Sequence, residues 1–167
     1  MPPVSEVQSA EIIELLPRLR RFARALAGNA NDADDLVQIA IERALARYDQ
    51  LRPGAPLVGW LFGIVRNAWI DEARARSRRA RVFVPEELGE QIADPGAGAA
   101  HILSVRQALE QLPEEQREVI GLVLIEGLSY REAADIIGVP VGTLTSRLAR
   151  GRAALQGLLG ASEGDPA

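Results

Sequence analysis

Two groups of residues, both rich in arginine, are expected to bind the ligand of this protein. The first group, Ser146, Arg147 and Arg150, lies at spacings that place all three side chains on one side of a helix. A guanidinium can fork onto a guanine edge or clamp a phosphate, and a hydroxyl can reach either a base or a phosphate. No acid occurs from Arg147 to Leu159. These residues therefore indicate contact with DNA, although a basic helix face taken alone is more commonly just solvated.

The local sequence predicts how this helix is positioned. Ser129-Tyr130-Arg131-Glu132 has the pattern of a capping box, and the helix that it opens stops at Gly138. A turn around Val139 and Pro140 comes next, and the basic helix starts near Gly142-Thr143. Before them, a helix opens at Leu112-Pro113 and closes at Gly127. A tight turn between two helices, the second one basic, predicts a helix-turn-helix that enters the major groove.

The second group lies in a predicted helix that runs from about Leu57 to Ala80. Trp60 and Trp69 precede or accompany its basic residues, a combination suited to single-stranded or distorted DNA. Each tryptophan taken singly is better explained as core, and the basic run has a solvated helix end as its alternative. The basic and amide residues of this group are Arg66, Asn67, Arg74, Arg76, Arg78, Arg79 and Arg81.

Catalysis finds no support in the sequence. Asp32, Asp34 and Asp35 are explained by their position at a predicted helix start, where carboxylates face the positive end of the helix. His101 is the one histidine, and we expect it to be exposed and without a role. Cysteine is absent, and no nucleophile–base pair, phosphate-binding glycine loop or zinc pattern is present. We therefore expect a protein that is not an enzyme and that needs no cofactor and no metal.

The hydrophobic periodicity predicts an all-α protein of two small helical domains joined by a flexible acidic linker. The first domain spans residues 9–81, with Pro17 kinking its first helix or starting a new one and Asn31 capping the next. The linker, residues 82–101, contains Glu86, Glu87, Glu90 and Asp94 and no arginine. The second domain spans residues 102–160. A tether of this length permits either a compact or an open arrangement.

The overall charge argues only weakly against nucleic acid. The formal net charge is −4, but residues 66–81 hold six arginines against two acids. Local field, rather than total charge, decides where a polyanion docks. No apolar run approaches the roughly 20 residues that span a bilayer, and no signal-peptide core is visible, so we expect a cytoplasmic protein without a membrane span.

Several segments together resemble the extracytoplasmic-function (ECF, group IV) sigma factors of bacterial RNA polymerase. Residues 33–38, 60–67 and 70–71 resemble region 2 of that family. The segments that resemble region 4 are Leu112-Pro113, residues 127–130 and 132–134, Gly142-Thr143, and Ser146-Arg147-Leu148 with Arg150. The match covers about residues 11–159 in the family's order. Thr145 stands where many members have Lys or Arg, and Ile39 where an acid is common.

The resemblance implies a subunit that binds core RNA polymerase and directs it to promoters, usually under the control of an anti-sigma protein. Region 2 would bind the polymerase, and region 2 and region 4 would contact the −10 and −35 promoter elements. The linker would thread toward the polymerase active centre. The implied core-polymerase contacts are Asp34, Asp35, Leu36 and Gln38. The implied −10 contacts are Arg66, Asn67, Arg74, Arg76, Arg78 and Arg79, together with the loop from Asp49 to Leu57, and the implied −35 contacts are Thr143, Thr145, Ser146, Arg147 and Arg150.

Two other functions remain open. A sigma-like decoy or adaptor would capture an anti-sigma factor without starting transcription, but it would not need the basic residues after Trp69. An autonomous helix-turn-helix regulator would need a dimerisation surface that matches two half-sites, and no coiled-coil heptads are visible.

Overall fold

The computed structural model describes residues 5–81 and 97–163, and side chains over 5–81 and 104–160. All regular structure within these ranges is helical. The first helical unit consists of α1 (Glu6–Ala27), α2 (Ala30–Ala46) and α3 (Leu57–Ala80). The second consists of α4 (Ala97–Glu110), α5 (Glu114–Ile120), α6 (Tyr130–Ile137) and α7 (Val141–Glu163). The prediction of an all-α protein with two helical units is confirmed.

The start of the chain departs from the prediction at two places. Helix α1 is opened by a capping box at Ser5 and passes through Pro17 without ending. Pro17 and Ile13 both lie on the exposed face of α1, so water can hydrate the carbonyl that loses its donor. Gly28 closes α1 with a φ of 82°, and Asn29 rather than Asn31 caps α2 by accepting from the Asp32 amide over 2.8 Å. The left-handed glycine lets the chain reverse at once, so α2 begins earlier than predicted.

The helix predicted from Leu112 to Gly127 is divided. Helix α5 ends at Ile120, and residues Gly121–Ile125 form a turn of π-helix, in which the Glu126 amide bonds the Gly121 carbonyl over 3.0 Å. A π turn adds a residue to the helical turn and so rotates the side chains that come after it. This turn, called the π turn below, points the Glu126 side chain inward, where it is fully buried.

The helix-turn-helix forms as predicted. The Ser129 hydroxyl accepts from the Glu132 amide and the Glu132 carboxylate accepts from the Ser129 amide, which completes the capping box of α6. Gly138 ends α6 with a φ of 78°, and α7 begins at Val141. Helix α4 begins at Ala97, inside the segment predicted as linker, because the alanines there have high helix propensity. Residues 82–96, with the four linker acids, and the side chain of His101 lie outside the described residues.

The two helical units pack against each other and share one hydrophobic cluster. Helix α1 contacts α4, α5 and the π turn, and α3 contacts α6. At the centre of the first unit, the rings of Phe22 and Phe62 meet edge to face with centroids 5.3 Å apart. The close approach requires glycine: a Cβ at Gly121 would lie 3.0 Å from the Phe22 ring. The structure therefore has the compact arrangement of the two that the tether length permits.

Candidate nucleic-acid interface

Helix α7 separates its predicted DNA-contacting side chains from its core side chains. Leu144 and Leu148 are 0% and 3% exposed and pack into the second unit, as their spacing predicts. Ser146 and Arg150 are exposed, which leaves a hydroxyl and a guanidinium available to a ligand. Thr143 and Thr145 are half-buried. The Thr145 hydroxyl donates to the Gly142 carbonyl over 2.9 Å, so it is directed at its own helix.

Arg147 is the least accessible of the three residues that the sequence singles out on α7. Its side chain is 20% exposed, and its Nε lies 3.7 Å from a carboxylate oxygen of Glu115 on α5. Glu115 itself is 69% exposed, so water screens much of this attraction. In this arrangement Arg147 lies along α5 rather than projecting freely from α7.

The arginines at the end of α3 form a basic surface on the first unit. Arg74, Arg76, Arg78, Arg79 and Arg81 are exposed, as is Asn67. A shallow groove lies among them, lined by Asp71, Arg74, Ser77, Arg78 and Arg81. Because cationic side chains rim this groove, the surface can hold a phosphate backbone.

Arg76, one residue of this basic surface, also contacts Asp32 on α2 and the Trp69 ring. Its guanidinium lies 3.0 Å from the Asp32 carboxylate and 5.8 Å from the centre of the Trp69 ring. The Asn29 amide, which donates to Asp32 over 2.8 Å, lowers the pKa of that carboxyl, and Arg76 lowers it further against the effect of burial. Asp32 therefore holds one arginine of the basic surface in position at the start of α2.

Arg66 lies apart from the other α3 arginines. Its side chain is 18% exposed, and its Nε donates to the Glu118 carboxylate of α5 over 2.8 Å, with a second contact of 3.4 Å. Arg66, which is predicted to contact DNA, is thus bound by an acid of the second unit.

The two tryptophans contribute to packing. Trp69 is 9% exposed, which confirms its interpretation as core. Trp60 is half-buried and meets the Tyr48 ring edge to face, with centroids 6.0 Å apart. Tyr48 belongs to the short 3-10 turn Tyr48–Gln50 at the start of the loop to α3. Both indoles pack against other side chains of the first unit, so the basic side chains carry the candidate interface.

The residues implied in polymerase binding lie on α2, which has few contacts with the second unit. Asp34, Asp35 and Gln38 are exposed along one side of this helix. Leu36 is 2% exposed and belongs to the core, so its side chain is not available to a partner in this structure. Ile39 is half-buried and packs against the core, which accounts for an apolar residue at that position.

Sequence reasoning missed the two buried carboxylates of the described residues, Glu118 and Glu126. Each is paired with arginines of the first unit: Glu118 with Arg66, and Glu126 with Arg18 and Arg21. A signal was present, because Glu118 and Glu126 flank an almost wholly apolar run, residues 119–125. An acid on the buried side of such a run requires a cationic partner from another element.

The described part of the chain contains neither a membrane span nor a cluster of metal ligands. No helix there is long and apolar enough to cross a membrane. No group of three or more His, Cys, Asp or Glu side chains is arranged to hold a metal ion in the same ranges.

Both helical units match families of known proteins. The profile of Sigma-70 region 2 matches residues 12–79, and that of Sigma-70, region 4 matches residues 102–155. The chain is 41% identical over 159 residues to the ECF RNA polymerase sigma factor EcfG of Rhodopseudomonas palustris, covering 94% of this chain and 87% of the relative.

Two solved structures are similar over most of the chain. The sigma factor RpoE in complex with the anti-sigma factor NepR, from Bartonella quintana, superposes with a TM-score of 0.82 at 34% identity, over 97% of this chain and 100% of that one. CnrH in complex with the cytosolic domain of CnrY gives a TM-score of 0.70 at 29% identity, over 92% of this chain and 87% of that one. With both regions matched in order and one relative aligned over nearly its whole length, this chain belongs to the ECF RNA polymerase sigma factors.

Proposed function

We propose that this chain binds core RNA polymerase in the bacterial cytoplasm and directs it to promoters, without catalysing a reaction of its own. Residues 9–81 act as region 2, residues 102–160 as region 4, and residues 82–101 as the linker. The observation that carries the proposal is that a chain of this family exposes two surfaces with side chains suited to DNA, one on α3 and one on α7.

Exposure and charge indicate which surface binds the polymerase and which surfaces bind the two promoter elements. The exposed acids Asp34 and Asp35, with Gln38, bind the polymerase, because α2 is the helix of the first unit that the second unit leaves open. The exposed α3 arginines, with Asn67, hold the −10 element as single strand. Ser146 and Arg150 contact the −35 element in the major groove.

An anti-sigma factor controls the chain in this proposal. Support comes from the two similar solved structures, since one is RpoE in complex with the anti-sigma factor NepR and the other is CnrH in complex with the cytosolic domain of CnrY. The similarity extends over both units in each case, which suits a regulator that contacts both.

Transcription with purified core polymerase tests the proposal. Fragmented genomic DNA is transcribed with and without the chain, and transcript starts are sequenced. We expect starts that share two spaced promoter elements and that appear only with the chain. No chain-dependent start, with an anti-sigma factor still bound, would instead identify a decoy. Sequence-specific binding without polymerase would identify an autonomous regulator.

A pair of variants on α7 tests the assignment of the −35 contact. Arg150→Ala removes a base or phosphate contact and is expected to weaken transcription by about 5- to 150-fold, which corresponds to about 1–3 kcal/mol. Arg152→Ala is the control, since Arg152 is exposed on the same helix but lies on its other side. Equal loss in both variants would contradict the assignment.

A further inference from the structure

The start of helix α7 presents apolar groups to solvent. Val141 begins the helix and is 43% exposed, and Ala149, two turns later, is exposed as well. Thr145 lies between them and is half-buried. Because residues four apart share one side of a helix, these three side chains form a row, called the methyl row below. Helix α7 joins the hydrophobic cluster through Leu144 and Leu148 instead, so the methyl row remains available to a ligand.

Thr145 contributes a methyl group to this row because its hydroxyl is already engaged. The hydroxyl donates to the Gly142 carbonyl over 2.9 Å, one turn back along the helix. In a staggered side chain, the methyl group of a threonine occupies a different position from its hydroxyl. The methyl group of Thr145 is therefore the part of the side chain that is left for an apolar contact.

Gly142 keeps the space beside the methyl row open. It is exposed, and a Cβ added there would meet no atom outside its own helix within 4 Å. In a helix-turn-helix, the first residues of the second helix are the ones that contact base edges. Since α7 begins with Val141 and Gly142, its first turn can approach a base pair closely.

Polar side chains of α7 lie beside the methyl row. Ser146 and Arg150 are exposed, and each follows a member of the row by one residue, about 100° around the helix. From Val141 to Leu155 the helix contains no Asn, Gln, Asp or Glu, the side chains that pair best with the amino groups of adenine and cytosine. In the major groove, an A·T pair also presents the C5 methyl group of thymine. That methyl group is the feature of an A·T pair that best suits the side chains present on α7.

From this placement we propose that the methyl row reads thymine. Val141, Thr145 and Ala149 contact the C5 methyl groups of thymines in the −35 element. Ser146 and Arg150 contact guanine acceptors or phosphates beside them. The inference rests on the proposed function, because only binding of region 4 to the −35 element brings α7 into a major groove.

Removal of single methyl groups from a promoter tests the inference. One promoter at which the full chain starts transcription with core polymerase is prepared with deoxyuridine in place of each −35 thymine in turn, on either strand. Uracil pairs as thymine does and lacks only the methyl group. We expect at least one substitution to lower initiation about fourfold, which corresponds to about 0.8 kcal/mol for one methyl group. Deoxyuridine in the spacer between the two elements is the control and should change nothing.

Two variants of Thr145 separate the effect of its methyl group from that of its hydroxyl. Thr145→Ser keeps the hydroxyl and removes the methyl group, whereas Thr145→Val keeps the methyl group and removes the hydroxyl. We expect Thr145→Ser to initiate equally from the thymine and deoxyuridine forms of one position, and Thr145→Val to retain the difference of about fourfold. Val141→Ala should lose the difference at another position, because Val141 lies about 6 Å from Thr145 along the helix axis. Circular dichroism confirms that each variant remains helical.

Three results would overturn the inference. Unchanged initiation from every deoxyuridine promoter, or a −35 element of G·C pairs alone, would show that no thymine methyl group is read. Full sensitivity to deoxyuridine in both Thr145→Ser and Val141→Ala would place the contact on other residues. Equal loss of that sensitivity in Thr145→Ser and Thr145→Val would assign it to the hydroxyl. Failure of the proposed function would look different, because the unaltered chain would then start no transcription from the unmodified promoter.

Discussion

Gly151 sets how closely α7 packs against α5, and an alanine there should destabilise the protein. A Cβ at this position would lie 2.7 Å from Ile120 Cδ1, 3.3 Å from Ile120 Cγ1 and 3.4 Å from Gln116 Cβ. Ile120 is 2% exposed, so its side chain has little room to turn away. Gly151→Ala must therefore push α7 away from α5 or strain a core rotamer.

The magnitude is a difference of two effects. Replacing glycine by alanine inside a helix contributes up to about 1 kcal/mol in favour of the variant. Overpacking a close-packed core costs about 1–3 kcal/mol, and a 2.7 Å approach belongs at the upper end of that range. We expect a net loss of about 1–2 kcal/mol for Gly151→Ala.

Gly157→Ala on the same helix is the matched control. Gly157 is exposed, and nothing outside its own helix lies within 4 Å of the added Cβ. Only the propensity effect remains, so this variant should gain about 0.5–1 kcal/mol. The two variants should thus move the unfolding midpoint in opposite directions.

Urea unfolding followed by circular dichroism measures both variants against the unaltered chain. Coincident transitions by circular dichroism and tryptophan fluorescence establish that a single free energy of unfolding is meaningful. If Gly151→Ala is as stable as Gly157→Ala, then α7 does not depend on this close contact, and the packing argument for α7 is refuted.

Three further predictions concern single elements. Ser129→Ala breaks the capping box of α6 and should cost about 1 kcal/mol in thermal unfolding, whereas Ser146→Ala, exposed within α7, should cost almost nothing; equal costs would contradict the capping argument. Leu144→Ala should cost about 2–5 kcal/mol in urea because the side chain is fully buried, and Leu124→Ala, 42% exposed, should cost far less. Asp32→Asn should lower stability slightly at neutral pH, because the folded pKa of Asp32 is depressed; its contribution is present above the usual value of 3.8 and lost as pH falls through the lowered one, so a loss that persists in acid would refute it.

The proposed DNA-contacting residues divide by how far sequence alone could place them. Arg150 and Ser146 are exposed because helical periodicity puts them opposite Leu144 and Leu148, and that relation is local. Arg66 is predicted to contact DNA as well, yet its side chain is only 18% exposed. The difference arises because its partner, Glu118, is 52 residues away along the chain. No local pattern records a contact of that separation.

Sequence by itself determined the all-α class, the capping box and glycine stop of the helix-turn-helix, and the two basic surfaces, because caps, periodicity and propensity act within a few residues. Tertiary structure decided that Pro17 lies within a continuous helix, that Gly121–Ile125 forms a π turn, and that the two units are closed. Each of these depends on which faces meet in space. The buried pairs of Glu118 and Glu126 express this most clearly, since a carboxylate enters a core only where another element brings it a guanidinium.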